Sequence, residues 1–374
     1  MMKGPPILQC NFINRRTGRN YTSQPKATSI NFSTDMRQFT GAFDLEVAFR
    51  LDERVEISSH DFVEFFFDFG GEKFQAGVGY LEDFVESVAG DRVIIQANGR
   101  DLLGQLISVP FAEQLHYNAG VNIEVFAARA LQNSYVQDYL KIKGMKGLVM
   151  NQGAFGGPLL VNTTADQNRG AVLQEYAEEI AMNLVYLTRR GRVAIYGREF
   201  VSKPGVGKTL HDIGDRNVIE LVQRRNFSKV ISECRVMYSG GEGNLDLNKM
   251  SSPIFKNTEP AVAHVYQPIY KVFSANDLIS LSGQYNVQDR LAAVAKSTIR
   301  KSNQNLSSIV IKAAFPYHVG ADGSMTAYEV CQNWRIKSDV HKINQDMKLA
   351  GINYRQTPEV LETQLMFVGP DTLI

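Results

Sequence analysis

With 374 residues, 44% of them hydrophobic and 21% charged, the chain has room for two or three domains and is too apolar to be disordered or collagen-like. Its 40 Lys plus Arg offset 39 Asp plus Glu to a formal charge of +1, which excludes a global field that would draw in nucleic acid or a membrane surface. The three cysteines, Cys10, Cys234 and Cys331, are odd in number and too scattered for a disulfide framework or a zinc ribbon, so reduced, intracellular assembly is expected.

Met1 to Phe12 carries Pro5 and Pro6 where a signal peptide needs an unbroken apolar stretch, and no window reaches the ~18 apolar residues of a membrane span. Neither ordinary secretion nor a membrane anchor is expected, and Met1 to Lys26 reads as an N-terminal arm. Strands follow. Ala42 to Phe49 alternates over part of its length, Phe62 to Phe69 ends at the hairpin-type turn Gly70-Gly71, and Lys73 to Ser87 and Arg92 to Ala97 supply more. Short strands separated by turns predict a small barrel or sandwich within residues 1–115.

Residues 116–215 change texture. Val121 to Ser134 places Ile123, Phe126, Ala127, Ala130 and Leu131 at helical spacing, and Arg169 to Asn183 repeats the pattern with Val172, Leu173, Tyr176 and Ile180. Gly144 to Pro158 reads as a mobile connection or a domain seam, and Leu184 to Leu187 with Arg192 to Tyr196 as a strand pair around Thr188-Arg189-Arg190-Gly191. Strands return in residues 216–374, with Asn217 to Gln223 and Lys229 to Tyr238, then a loop-rich insertion spanning about 239–285. Asn286 can cap a helix to about Asn303 that presents Val287, Leu291, Val294, Ala295 and Ile299 to a sheet. Leu306 to Phe315, Glu329 to Ile336, Asp339 to Leu349 and Val360 to Val368 read as four closing strands. The predicted class is α+β and β-rich, with strand-rich outer thirds around a mixed middle.

Chemical motifs are weak. Gly205-Val206-Gly207-Lys208-Thr209 looks like the end of a phosphate-binding loop, but Ser202 stands where the loop's first Gly belongs and Pro204 removes a backbone donor. His60, His116, His211, His264, His318 and His341 show no pair at helical ligand spacing, so no metal site is expected. The neighbouring acids Glu82-Asp83 and Glu178-Glu179 read as solvated surface, and the basic clusters Arg189-Arg190-Arg192 and Arg224-Arg225 as turns or interface salt bridges. Between Asp44 and Asp91, by contrast, thirteen acids face three bases, Arg50, Arg54 and Lys73. The acids are Asp44, Glu46, Asp52, Glu53, Glu56, Asp61, Glu64, Asp68, Glu72, Glu82, Asp83, Glu86 and Asp91. Such a surface either aids solubility or forms a wall past which DNA slides without sticking.

The segments Phe39-Thr40-Gly41-Ala42-Phe43-Asp44-Leu45-Glu46-Val47, Phe74-Gln75-Ala76-Gly77-Val78-Gly79-Tyr80 and Val93 to Leu103, with its corner Gly99-Arg100-Asp101, resemble the opening of the baseplate hub proteins of Mu-like contractile phages, related to the late control protein D family. At that corner Gly would allow a tight turn, while Arg and Asp exchange hydrogen bonds with nearby backbone or each other. The likeness follows most of the chain by element order, apart from the arm and the stretch Ser239 to Pro260. It implies two tube-protein-like β-barrels per subunit and a homotrimer. The trimer would join a trimeric spike to a hexameric tail tube, contact other baseplate proteins and leave a channel for non-specific DNA passage. It implies no cofactor and no enzymatic activity, and a place in the virion tail baseplate after assembly in the host cytoplasm. The acids of residues 44–86 are then candidates to line the channel. The other expectation is a tail-associated cell-wall hydrolase or carbohydrate-binding module, suggested by abundant carboxylates and aromatic-rich strands.

Overall fold

The computed structural model describes residues 6–23, 29–52, 55–68, 73–150, 159–180, 183–197, 211–239, 251–274, 287–303, 306, 308–320 and 323–369. The first third is built from β1 (Ile7–Ile13), β2 (Asn20–Thr22), β3 (Ser29–Asp35), β4 (Ala42–Arg50), β5 (Phe62–Asp68), β6 (Lys73–Ala89) and β7 (Arg92–Asp101). Period-two alternation forms these strands. Phe43, Leu45, Val47 and Phe49 of β4 and Val93, Ile95 and Ala97 of β7 are buried on one face, while Asp44, Gln96 and Asn98 stand on the other.

The middle contains α1 (Gly104–Ser108), β8 (His116–Val121), α2 (Ile123–Ala130), α3 (Tyr135–Ile142), β9 (Leu148–Met150), β10 (Leu159–Asn162), α4 (Arg169–Gln174), β11 (Asn183–Leu187) and β12 (Val193–Gly197). The helix expected over Val121 to Ser134 is present as α2 but stops at Ala130, and a second helix, α3, follows beyond the expected range. Asn133 takes φ 55°, and Ser134 then caps α3 by accepting the Gln137 N–H at 3.4 Å. Asn168 caps α4 in the same way, accepting from Gly170 and Ala171 at 3.0 and 3.1 Å. That helix runs on as a π-helical turn, Glu175–Ile180.

The last third holds β13 (His211–Gly214), β14 (Val218–Arg224), β15 (Glu233–Ser239), β16 (Phe255–Lys256), β17 (Pro268–Ser274), α5 (Val287–Ser302), β18 (Ser308–Ala313), β19 (Tyr317–Val319), β20 (Met325–Ala327), β21 (Asn333–Ser338), β22 (Ile343–Gln356) and β23 (Leu361–Val368). Several boundaries differ from the sequence reading. The strand expected to end at Leu349 runs on as β22 to Gln356, and the one expected from Lys229 starts at Glu233. The stretch read as a loop-rich insertion contributes β16 and β17 to a sheet with β15, against which α5 packs Leu291, Val294, Ala295 and Ile299. The N-terminal segment is likewise not a free arm, since β1 pairs with β5 from Ile7↔Asp68 to Ile13↔Phe62 and buries Leu8, Cys10 and Phe12. Gly70-Gly71, Asn286 and the Gly205 to Thr209 motif lie outside the described residues.

One 13-stranded sheet passes through both outer thirds, in the order β14-β18-β23-β22-β3-β4-β7-β6-β5-β1-β2, with β21 on β22 and β13 on β21. Within it the same strand order occurs twice. In the first third β3, β4, β7 and β6 lie side by side, and β6 bends so that its early residues pair with β5, which pairs with β1. In the last third β14, β18, β23 and β22 lie side by side, and the early residues of β22 pair with β21, which pairs with β13. Chain order matches as well, so β3 corresponds to β14, β4 to β18, β5 to β21, β6 to β22 and β7 to β23. The two units join where β22 pairs with β3, from Gly351↔Asp35 to Gln356↔Ile30. Their apolar faces share one core that includes Leu8, Phe32, Phe43, Phe65, Ile309, Leu365 and Phe367, while a second core gathers Phe62, Leu106, Phe126, Tyr139 and Val185 around the helices.

Candidate functional site

The face of the long sheet that looks away from the core is largely polar, although Val222, Val310 and Met366 at one end and Val85, Ala48 and Ile94 at the other also lie on it. One row crosses six strands as Asp83, Asn98, Asp44, Asn31, Arg355 and Glu362, each directly opposite the next. A second crosses β3 to β14 as Ser33, Asn353, Gln364, Lys312 and Glu220. Directly opposed residues share a face, so Glu46, Arg50, Arg92 and Arg224 belong to it too. Asp35 and Arg100 fall in the same rows, so six acids that are not buried (Asp35, Asp44, Glu46, Asp83, Glu220, Glu362) meet six such bases (Arg50, Arg92, Arg100, Lys312, Arg224, Arg355). Glu362 pairs with Lys312 at 2.5 Å, which holds its carboxyl below the usual range, and Glu46 accepts from Gln96 at 2.7 Å. The surface is neutral overall and presents no continuous basic stripe.

Both ends of this face are open among the described residues. β14 is paired with β18 alone, and β6 beyond Leu81 is paired with β7 alone. Apolar side chains are exposed on both edges: Ile219 at 64% and Val222 at 38% on β14, Val85 at 60% and Val88 at 62% on β6. Their charges differ. Asp83 and Glu86 lie exposed on β6, while Arg224 and Arg225 stand exposed at the end of β14.

The Gly99-Arg100-Asp101 corner keeps the expected backbone hydrogen bonds at Asp101 but differs from the expectation at Gly99 and Arg100. Gly99 lies within β7 and not at a turn with positive φ; a Cβ there would sit 2.0 Å from the Tyr80 carbonyl oxygen and 2.4 Å from Cζ of Phe43, so the missing side chain makes room for that ring. Arg100 does not bond Asp101 but pairs with Glu82, through Nε at 2.7 Å, and that hydrogen bond raises the guanidinium pKa. Asp101 is buried. It accepts from the N–H of Gly41 (2.6 Å), Leu103 (3.0 Å) and Gly104 (3.2 Å) and from the Thr40 hydroxyl (2.9 Å), fastening the entry of β4 and the start of α1 to the end of β7. Burial pushes its carboxyl up to about 6 against the pull of these donors.

Of the acids singled out in the sequence, Asp44, Glu46 and Asp83 share the polar sheet face. Asp52 and Glu56 are exposed in the segment after β4, Glu86 is exposed on the other side of β6, and Glu53 and Glu72 lie outside the described residues. Asp68 is half-buried near the end of β5, opposite Ile7. Glu64 is buried. It takes Lys143 at 2.7 Å, the Tyr139 hydroxyl at 2.6 Å and Asn11 at 3.0 Å, tying α3 to the strands. A groove of about 720 Å³ does contain two acids, Asp61 and Asp138. Both are engaged structurally, Asp61 by the N–H groups of Arg15 and Ser58 at 2.9 and 2.8 Å and Asp138 by Arg15 at 2.7 Å. Neither is free for glycosidase-type acid–base work. Glu178 bonds Lys301 at 3.3 Å. Of the basic clusters, Arg189 donates to the Gln75 carbonyl at 3.0 Å and stands 3.8 Å from Glu329, so it bridges all three parts of the chain. Among the described residues no group of three His, Cys, Asp or Glu is placed to hold a metal ion, and no helix is long and apolar enough to cross a membrane.

No family model matches the sequence, and no curated sequence matches it. Solved structures define the class: the chain has the fold of phage tail proteins. The tail protein from Neisseria meningitidis MC58 is 15% identical with a TM-score of 0.69, covering 99% of this chain and 99% of that one. The 43 kDa tail protein of prophage MuSo2 from Shewanella oneidensis is 16% identical with a TM-score of 0.65, covering 98% and 99%. A component of the Escherichia coli type VI secretion system, described as structurally similar to the phage T4 tail proteins gp27 and gp5, is 8% identical with a TM-score of 0.51, covering 91% and 73%.

Proposed function

We propose that the chain is a structural protein of a contractile phage tail, a homotrimeric baseplate hub of the Mu-like kind. The observation that carries this reading is the duplicated strand order with one sealed and one open junction. Inside the chain β22 of one unit pairs with β3 of the other. Among the described residues the equivalent strands at the two ends, β6 and β14, are left without that partner. Repeating the internal junction between copies sets β6 of one subunit against β14 of the next, a head-to-tail contact that closes by rotation. Eight strands run from one edge to the other with both edges included, an even number, so the new neighbours are antiparallel like the rest. Three copies make roughly 24 strands, which at about 4.8 Å spacing close a ring on the order of 37 Å across between backbones.

Such a ring has six similar units from three chains, so it can meet a hexameric tube on one side and a trimeric spike on the other, with other baseplate proteins around it. The polar face lines the hole, where Asp44, Glu46 and Asp83 are the channel-lining members of the acidic stretch. Neutral overall and without a basic track, that wall gives passing DNA no counterion-releasing contacts to hold it. The protein acts in the virion tail baseplate after assembly in the host cytoplasm, without cofactor or catalysis. Light scattering of the purified chain together with electron microscopy of tails tests this. A mass of three chains and a threefold particle with an axial hole are expected, and a monomer within assembled tails would overturn it.

A further inference from the structure

Two histidines far apart in sequence meet on one buried indole. β13 is a four-residue strand paired in parallel with β21, from His211↔Trp334 to Gly214↔Lys337. The His211 ring lies 4.7 Å from that of Trp334 at 35°, the His318 ring of β19 lies 5.0 Å from the same indole at 80°, and the two imidazoles are 6.1 Å apart. Trp334 is fully buried and His318 is 6% exposed. Neither His318 Nδ1 nor Trp334 Nε1 has a hydrogen-bond partner among the described residues. A buried ring nitrogen with nothing to donate to is tolerable when the imidazole is neutral and costly when it is charged.

The other titratable groups around the cluster do not neutralise such a charge. Asp212 on β13 acts on His318 but is engaged by Lys337 of β21 at 2.7 Å. Arg335 of β21 is engaged by Asp346 of β22 at 2.6 Å. Asp215, just after β13, accepts the Asp339 N–H at 3.3 Å. Tyr328 packs on the indole at 5.4 Å, and burial raises its pKa and that of Tyr317, so both stay neutral at any pH of interest.

We propose that β13 is an acid-sensitive strap: neutral His318 and His211 hold it against β21 through Trp334, and a proton on His318 releases it. Burial, then the neighbouring His211, lowers the pKa of His318, and burial lowers that of His211. Both fall below the free value of about 6.5, so the folded strap binds protons less well than the released one. Its stability is fully present above that free value and is lost as the pH falls through it towards the folded pKa. β13 is the first described strand after β12, so its release loosens the joint between the middle and last thirds. The strap does not depend on the ring.

Hydrogen exchange on the full chain at about pH 7.5 and about pH 5.5, corrected for intrinsic rates, tests it. Peptides over residues 211–214 should lose about tenfold or more protection at the lower pH, while those over β3 keep theirs. His318→Phe keeps a ring and should abolish the response; His211→Gln, at a half-exposed position, should reduce it. Equal protection at both pH values, or an unchanged response in His318→Phe, overturns the proposal. If His318→Phe does not fold, NMR titration of His318 in the wild-type chain decides: a pKa below about 6.5 supports the strap, and one at or above it overturns it.

Discussion

β3 and β14 occupy the same place in the two copies of the strand order, yet one is enclosed and the other is not. β3 has β22 on one side and β4 on the other, and it buries Ile30 and Phe32 completely or nearly so. β14 has β18 alone, and Ile219 and Val222 stay exposed. An edge strand with apolar side chains is normally blunted by lysines, a proline or a covering element. β14 has no lysine or proline; its charges are Glu220, which stands on the polar face, and Arg224 at its end, which leaves the edge itself suited to pairing. The difference teaches that the order of the paired strands repeats while the neighbour of the first strand does not: among the described residues β14 lacks one, and in the proposed ring a strand equivalent to β22 takes that place.

Blocking that edge should break the comparison most severely. Ile219→Lys with Val222→Lys places desolvated charges in the proposed junction and should weaken association by roughly a thousandfold, about 4 kcal/mol. Both positions are exposed, so the thermal stability of the separated chain should change by only about 0.5 kcal/mol per site. Light scattering across a dilution series checks the first effect and calorimetry the second. A double variant that remains trimeric at the wild-type concentration range would show that β14 is not the contact.

The next largest effect belongs on the sealed side. Asp101→Ala removes the acceptor of four donors that fasten the entry of β4 and the start of α1, and buried donors left unpaired should cost about 3 kcal/mol. Denaturant unfolding should report that loss in the separated chain. Association should be unaffected at denaturant concentrations where the chain stays folded, because Asp101 is buried away from both edges. If assembly and stability fell together in proportion, the two junctions would not be independent.

How much of this was legible in the sequence follows from which interactions are local. Alternation in Ala42 to Arg50 and Arg92 to Ala97 marked β4 and β7, because the buried face reads directly as every second residue. β1 hid within the apparent arm because Ile7 to Ile13 is buried on both faces, leaving no polar alternation to read. α3 was missed although Ser134 and Gln137 form a capping signature, with the Gln137 side chain accepting the Asn133 N–H at 2.9 Å. β22 could not be bounded, since its 14 residues serve β21 early and β23 and β3 late; that division is set by partners distant in sequence. The corner at Gly99 to Asp101 was visible as residues, but its roles were not: Gly99 answers to Phe43 and Asp101 to Gly41, both more than fifty positions away. The polar sheet face depends in the same way on lateral order. The acidic excess of residues 44–91 is distributed over loops, core and both faces, so a local charge count overstated the acidity of any one surface.

The smallest effect should come from the charges at the two edges. In an antiparallel junction the beginning of the free part of β6, with Asp83, lies towards the end of β14, with Arg224 and Arg225. These residues are exposed in the separated chain, so their attraction is partly screened and each is worth about 1 kcal/mol at most before burial in the contact. Arg224→Glu should therefore weaken trimer formation by roughly tenfold, with the loss shrinking as salt is raised. Asp83→Arg alone should act in the same direction, and the two together should recover much of the affinity. Recovery is the informative outcome, since a register that kept the two residues apart would make the losses additive. Additive losses with the edge-blocking result intact would keep β14 as the contact and move the neighbouring strand along it, whereas recovery would fix which residues of β6 stand where β22 stands beside β3.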